Sequence, residues 1–155
     1  MDTQNRSATA DREIATTRVF NAPREQVWQM WTDPEHICRW WGPQGFTNTI
    51  HEMDVRAGGI WRFIMHGPDG TDYPNLITYI EVVKPELLRY QHGEEGRPDH
   101  FQVAVIFTEQ GNKTKLHMQM LFKTAEERNI VVEKYGAVEG LNQTLDRLEE
   151  LLGKS

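Results

Sequence analysis

Between Phe46 and Phe122 the apolar residues recur at every second position, a period that leaves few folds open. Successive side chains of a strand point to opposite faces, whereas one face of a helix repeats near 3.6 residues. Trp61, Phe63 and Met65 alternate with Arg62 and Ile64, between Gly58-Gly59 and the turn sequence Gly67-Pro68-Asp69-Gly70. Leu76, Thr78, Ile80 and Val82 then share a parity that ends at Lys84-Pro85. Leu88, Tyr90 and His92 follow, up to a turn at 93–99. Phe101, Val103, Val105 and Phe107 alternate most cleanly, and Leu116, Met118, Met120 and Phe122 close the series after a turn at 109–113. Residues 46–55 also read as extended, with a parity slip between Ile50 and Met53 that a β-bulge explains. Strands joined by turns this short pair antiparallel.

The flanks differ. Ile14, Thr16, Arg18 and Phe20 make a first strand. Pro23 suits a first helical turn, with Val27, Met30 and Trp31 at helical spacing behind it. Asp33 can cap a second short helix carrying Pro34, Ile37, Trp40 and Trp41. After the strands, Thr124 and Glu127 form a capping box, and one long helix is predicted to about Leu152. Its stripe is Val131, Tyr135, Val138, Leu141 or Asn142, Leu145, Leu148 and Leu152. Gly136 and Gly140 lie inside it, each costing about 1 kcal/mol relative to alanine. The order implies an α+β fold: a curved antiparallel sheet of six to seven strands around a long C-terminal helix, with two short helices after the first strand. A curved sheet meets a straight helix along part of its length only, so a cavity can remain between them. The two glycines either keep the helix slim beside that cavity or allow close helix–sheet packing.

At 155 residues the chain is the size of one domain, 12–152, after a disordered tail over residues 1–11. A net charge of −6 and a pI of 5.5 weigh against nucleic-acid or anionic-membrane partners. Cys38 is the only cysteine, which excludes an internal disulfide and suits a reducing cytosol. The polar N-terminus lacks a signal peptide's apolar core, and no stretch reaches transmembrane length, so a cytoplasmic location is expected. Monomer and homodimer both stay open, since an edge strand can pair two copies.

Ala22-Pro23, Val27-Trp28 and Trp31-Thr32-Asp33-Pro34, followed by Trp40-Trp41-Gly42-Pro43 and Gly45-Phe46, resemble the family of activator-of-heat-shock-protein-90-ATPase homologues. That family belongs to the helix-grip (START/SRPBCC) superfamily of lipid-transfer domains and polyketide cyclases. Residues 58–70, 79–88 and 135–152 continue the resemblance across nearly the whole chain. It implies a pocket between sheet and C-terminal helix that holds a small apolar molecule such as a lipid, an isoprenoid or an aromatic metabolite. Two alternatives come with it: a cyclase-like enzyme using cavity acids and bases, or a protein-interaction module that stimulates a chaperone ATPase. The namesake of the family uses a separate N-terminal domain for that stimulation, and 155 residues cannot hold one. No cofactor is expected.

Trp40, Trp41, Trp61, Phe63, Met65, Tyr90, Phe101, Met118, Met120, Tyr135, Val138, Glu139 and Asn142 are the expected cavity residues. Aromatics with unbranched methionines make adaptable apolar walls, although the same set also packs well as a filled core. Neighbours on a helix diverge by about 100°, so Trp40 and Trp41 cannot share a pocket: either one plugs the core while the other stands at the rim, or both only anchor the helix pair to the sheet. The catalytic candidates are Glu139, His66 and His92, each equally readable as a solvated or structural group. Metal binding is not expected: His51 lacks the second histidine of a zinc-protease motif, and no paired cysteines occur.

Overall fold

The computed structural model describes residues 11–134 and 136–153. The expected tail and Tyr135 lie outside this range, except for Asp11. Strand β1 (Glu13–Phe20) leads to helices α1 (Arg24–Thr32) and α2 (Pro34–Ile37). Six further strands follow: β2 (Thr47–Met53), β3 (Ile60–His66), β4 (Asp72–Val83), β5 (Leu87–Glu94), β6 (Arg97–Gln110) and β7 (Lys113–Phe122). Helices α3 (Ala125–Glu133) and α4 (Ala137–Gly153) complete the chain. The seven strands form one antiparallel sheet in the order β1-β7-β6-β5-β4-β3-β2, so the last strand returns to pair with the first. No helix among the described residues is long and apolar enough to cross a membrane.

One face of the sheet carries the core. Trp61 and Phe63 of β3, Leu88 and Tyr90 of β5, Val103, Val105 and Phe107 of β6 and Leu116 and Met118 of β7 all point into it, as the period of two requires. The expected bulge in β2 falls between Ile50 and Glu52. Strand β4 departs from its expected parity. Leu76 is buried as expected, but Ile77 and Tyr79 of the opposite parity are buried too, while Ile80 is exposed. A register shift between Tyr79 and Glu81 then changes the phase, and Val82 packs against the core.

The predicted long C-terminal helix is two helices. Gly136 adopts φ +62°, a left-handed conformation that ends helices and costs glycine little. Nothing on α3 is buried, whereas α4 buries Thr144, Leu145, Leu148 and Leu152. Full burial of each leucine is worth roughly 1.5–3 kcal/mol, so α4 is the helix that the sheet holds. The phase of α4 itself turns two of the expected cavity residues outward. Val138 is 42% exposed and Glu139 is exposed as well.

Candidate functional site

A cavity of about 220 Å³ lies between the inner face of the sheet, the segment after α2, and the N-terminal half of α4. Tyr90, His92, Phe101, Val103, Met118 and Met120 form its sheet wall. Trp31, Trp41, Gly42, Pro43 and Met65 close one side, and Gly136, Ala137, Gly140, Leu141, Thr144 and Leu145 the other. Gly136, at the break between α3 and α4, is the one exposed residue of this lining.

The adjacent tryptophans divide their roles. Trp40 is fully buried, and its Nε1 donates to the Met30 carbonyl at 3.0 Å, so it plugs the core beneath α1. Trp41 lines the cavity and meets Trp31, Trp40 and Trp61 edge-on, with ring centroids 5.6, 5.6 and 4.9 Å away. Gly42 then turns the chain at φ +96°, where a Cβ would come within 2.8 Å of Met65 Cε. Arg147 of α4 holds this segment from outside. Its Nη1 donates to the carbonyls of Trp41 (3.2 Å), Gly42 (2.9 Å) and Pro43 (3.0 Å), and its Nη2 to that of Arg39 (3.0 Å). These carbonyls follow a short helix and have no helical partners of their own.

Polar groups on the cavity wall are few. Burial pushes the Tyr90 hydroxyl well above the usual tyrosine range, and nearby Tyr79 adds to the effect. No described residue pairs with that hydroxyl. His92 is held down to about 4, mainly by burial and secondarily by His100. Its Nε2 lies 2.9 Å from Asn75 Oδ1, while Asn75 Nδ2 donates to the Tyr73 carbonyl at 2.8 Å. Thr144 satisfies itself by donating to the Gly140 carbonyl at 2.8 Å.

Of the expected cavity residues, Trp41, Met65, Tyr90, Phe101, Met118 and Met120 reach the cavity, as does His92. Trp40, Trp61 and Phe63 do not: they are buried in the core behind it, Trp61 and Phe63 stacked at 4.2 Å. Val138, Glu139 and Asn142 are also absent from the wall: at about 100° per residue, Glu139 and Asn142 turn away from the face of α4 that carries Leu141, Thr144, Leu145 and Leu148, and Val138 lies at its edge. Glu139 accepts from Gln143 Nε2 at 3.3 Å on the exposed side. Tyr135 lies outside the described residues. Sequence reasoning missed Trp31, Val103, Ala137 and Thr144 as lining, together with Asn75 and Arg147 behind it. Trp31 and Val103 were legible only as core, and Arg147 grips carbonyls that every residue possesses.

His66 sits on the opposite face of the sheet. Its Nε2 is 2.7 Å from Thr49 Oγ1 and its Nδ1 is 2.7 Å from Asp72 Oδ1. This hydroxyl–imidazole–carboxylate chain has the connectivity of an acyl-transfer triad. It lies on the exposed face of edge strand β2, where water is not excluded from the hydroxyl. Glu52 and Asp54 are engaged separately, by Arg62 at 3.0 Å and Arg56 at 2.6 Å. Among the described residues, no three metal-ligating side chains come together.

An antiparallel sheet gripping one amphipathic helix over an apolar cavity defines a helix-grip protein. The chain belongs to the family described as Activator of Hsp90 ATPase homolog 1-like protein, whose profile matches residues 21–153. Protein Ms6760 from Mycobacterium smegmatis is similar over 94% of both chains, with 26% identity and a TM-score of 0.84. A protein from Arthrobacter aurescens shares the fold at 24% identity and a TM-score of 0.87, over 95% of this chain and 89% of its own. The AHSA1 protein from Silicibacter pomeroyi shares it at 19% identity and 0.74, over 91% and 97%. No curated protein matches the sequence.

Proposed function

We propose that this protein binds a small, neutral, largely apolar molecule in the cavity, as a carrier or sensor and not as a catalyst. The observation that carries the reading is an apolar cavity of about 220 Å³ whose two ionisable wall groups, Tyr90 and His92, are held in their neutral forms. An apolar cavity of about 150 Å³ admits benzene, while drug-sized ligands occupy about 300–1,000 Å³. The space therefore suits one ring with a small substituent, or a short branched chain, and is too small for a folded lipid.

The same two groups argue against a cyclase. General acids and bases work best when their pKa lies near the working pH. Burial moves His92 downward to about 4 and Tyr90 upward, each away from neutrality. Glu139, the remaining acid–base candidate, faces solvent.

Native mass spectrometry of protein purified from its host, followed by extraction, tests the reading. A stoichiometric small apolar companion is the expected result. For refilled protein, a ligand at about 100 times its dissociation constant adds about 2.7 kcal/mol of stability, read as a thermal shift. An empty protein whose melting temperature no one-ring compound raises would refute the proposal.

A further inference from the structure

Resting on the cavity being a binding site, we infer that its guest carries a hydroxyl group, which accepts a hydrogen bond from Tyr90 and donates one to His92 Nδ1. Asn75 sets this polarity from behind the wall.

The inference starts from one fixed amide. Asn75 Nδ2 donates to the Tyr73 carbonyl at 2.8 Å, which leaves Oδ1 as the atom facing His92. A carbonyl oxygen only accepts, so the proton of the His92–Asn75 hydrogen bond sits on His92 Nε2. A neutral imidazole carries one proton, and Nδ1 is then a bare lone pair. No described residue pairs with it. The chain Tyr73 carbonyl, Asn75 amide, His92 ring thus turns an ambiguous side chain into a defined acceptor on the cavity wall.

Tyr90 supplies the complementary donor. It precedes His92 by two residues on β5, so both side chains project from the same face of the strand, about 7 Å apart along it. Its hydroxyl stays protonated and unpaired among the described residues. The rest of the wall is aliphatic or aromatic, apart from Thr144, which is already satisfied. One donor and one acceptor from same-face positions two residues apart on the wall of an apolar cavity match a single hydroxyl, the smallest group that plays both parts. A carboxylate would face the His92 lone pair with no proton to offer it, and a cation would enter without a counter-charge. The ligand class is accordingly a neutral one-ring or short-chain alcohol or phenol.

The test is a set of matched probes titrated at pH 7 into the intact protein: phenol, anisole, toluene and benzoate. Phenol is expected to bind at least about tenfold more tightly than toluene, with anisole between them, because each satisfied hydrogen bond is worth up to about tenfold. Benzoate is expected to bind weakest. In the Asn75→Ala variant the phenol-to-toluene ratio should fall toward the anisole-to-toluene ratio, because the bond from Tyr90 remains, with toluene affinity unchanged. The ¹⁵N spectrum of His92 should change from a single Nε2-protonated tautomer to a mixture. Equal affinity for phenol and toluene would overturn this inference and leave the apolar pocket standing. Anisole binding as tightly as phenol would remove His92 as the acceptor. Benzoate binding more tightly than phenol would refute the neutral class, and failure of all four probes would refute the pocket itself.

Discussion

Replacing Arg147 by alanine is expected to cost this protein about 2–3 kcal/mol, although the side chain is only partly buried and pairs with no charged side chain among the described residues. The guanidinium spans the carbonyls of Arg39, Trp41, Gly42 and Pro43 at 2.9–3.2 Å. A hydrogen bond to a charged group nets about 1.5–3 kcal/mol when shielded. Nη1 has two hydrogens for three acceptors, so two or three effective bonds form in all. Partial access of water lowers each, and the sum settles near 2–3 kcal/mol. Desolvation also depresses the Arg147 pKa, the sign of a cation drawn out of water by its partners.

Urea denaturation measures this loss as a lower midpoint at unchanged slope. For a chain of this size it corresponds to a fall of roughly 5–10 °C in melting temperature. Arg147→Lys separates charge from geometry. An ammonium is a point donor and cannot bridge the Arg39 and Gly42 carbonyls as a planar fork does, so lysine should recover less than half. Because the clamped segment supplies Trp41, Gly42 and Pro43 to the cavity, ligand affinity should fall along with stability. Arg147→Ala within about 0.5 kcal/mol of the parent would place the residue among ordinary surface positions and refute the clamp. Full rescue by lysine would refute the fork.

Three further outcomes follow from particular contacts. His92 titrates near 4 in the folded protein and near 6.5 unfolded, so the unfolded chain takes up the proton first as pH falls. Its contribution is complete above pH 6.5 and is lost by pH 4, about 3 kcal/mol in all at 1.36 kcal/mol per unit; His92→Gln should flatten that part of the stability–pH curve. Gly140→Ala should stabilise by up to about 1 kcal/mol in urea, because the added Cβ meets only Pro43 Cγ at an ordinary 3.4 Å, whereas Gly136→Ala should destabilise by about 1 kcal/mol through its left-handed backbone. Thr114→Val should cost about 1–2 kcal/mol in the same assay, since the fully buried Thr114 hydroxyl donates to the Ala22 carbonyl at 2.8 Å, which valine would leave unpaired.

The strands were legible because each buries one face, and burial imposes its period directly on residues such as Phe101, Val103, Val105 and Phe107. The break at Gly136 was not. Apolar residues run on at helical spacing from Val131 to Leu152, and a glycine inside a helix costs too little to distinguish tolerance from interruption. Val138, Glu139 and Asn142 were misplaced for another reason: the apolar stripe was read too wide, and within α4 they lie at the edge of the Leu141, Leu145 and Leu148 face or away from it. On β4, a one-residue bulge near Ile80 changed the parity. Asn75 and Arg147 were beyond sequence reasoning for a different cause. Their partners are a tautomer 17 residues away and a set of main-chain carbonyls over a hundred residues away, neither of which leaves a mark in residue identity.

The size of side chains along α4 decides where the empty space lies. Toward its C-terminus, Leu148 and Leu152 pack into the cluster formed by Trp28, Trp31, Trp40 and Trp61, and no room is left. Toward its N-terminus, Ala137, Gly140 and Thr144 face the curved sheet, and Met65, Phe101 and Met120 opposite them are only partly buried. Trp41 stands at the boundary, packed on Trp61 on one side and open to the cavity on the other. Large aromatics therefore consume the closed end and stabilise the fold, while small residues at the start of α4 keep the other end vacant.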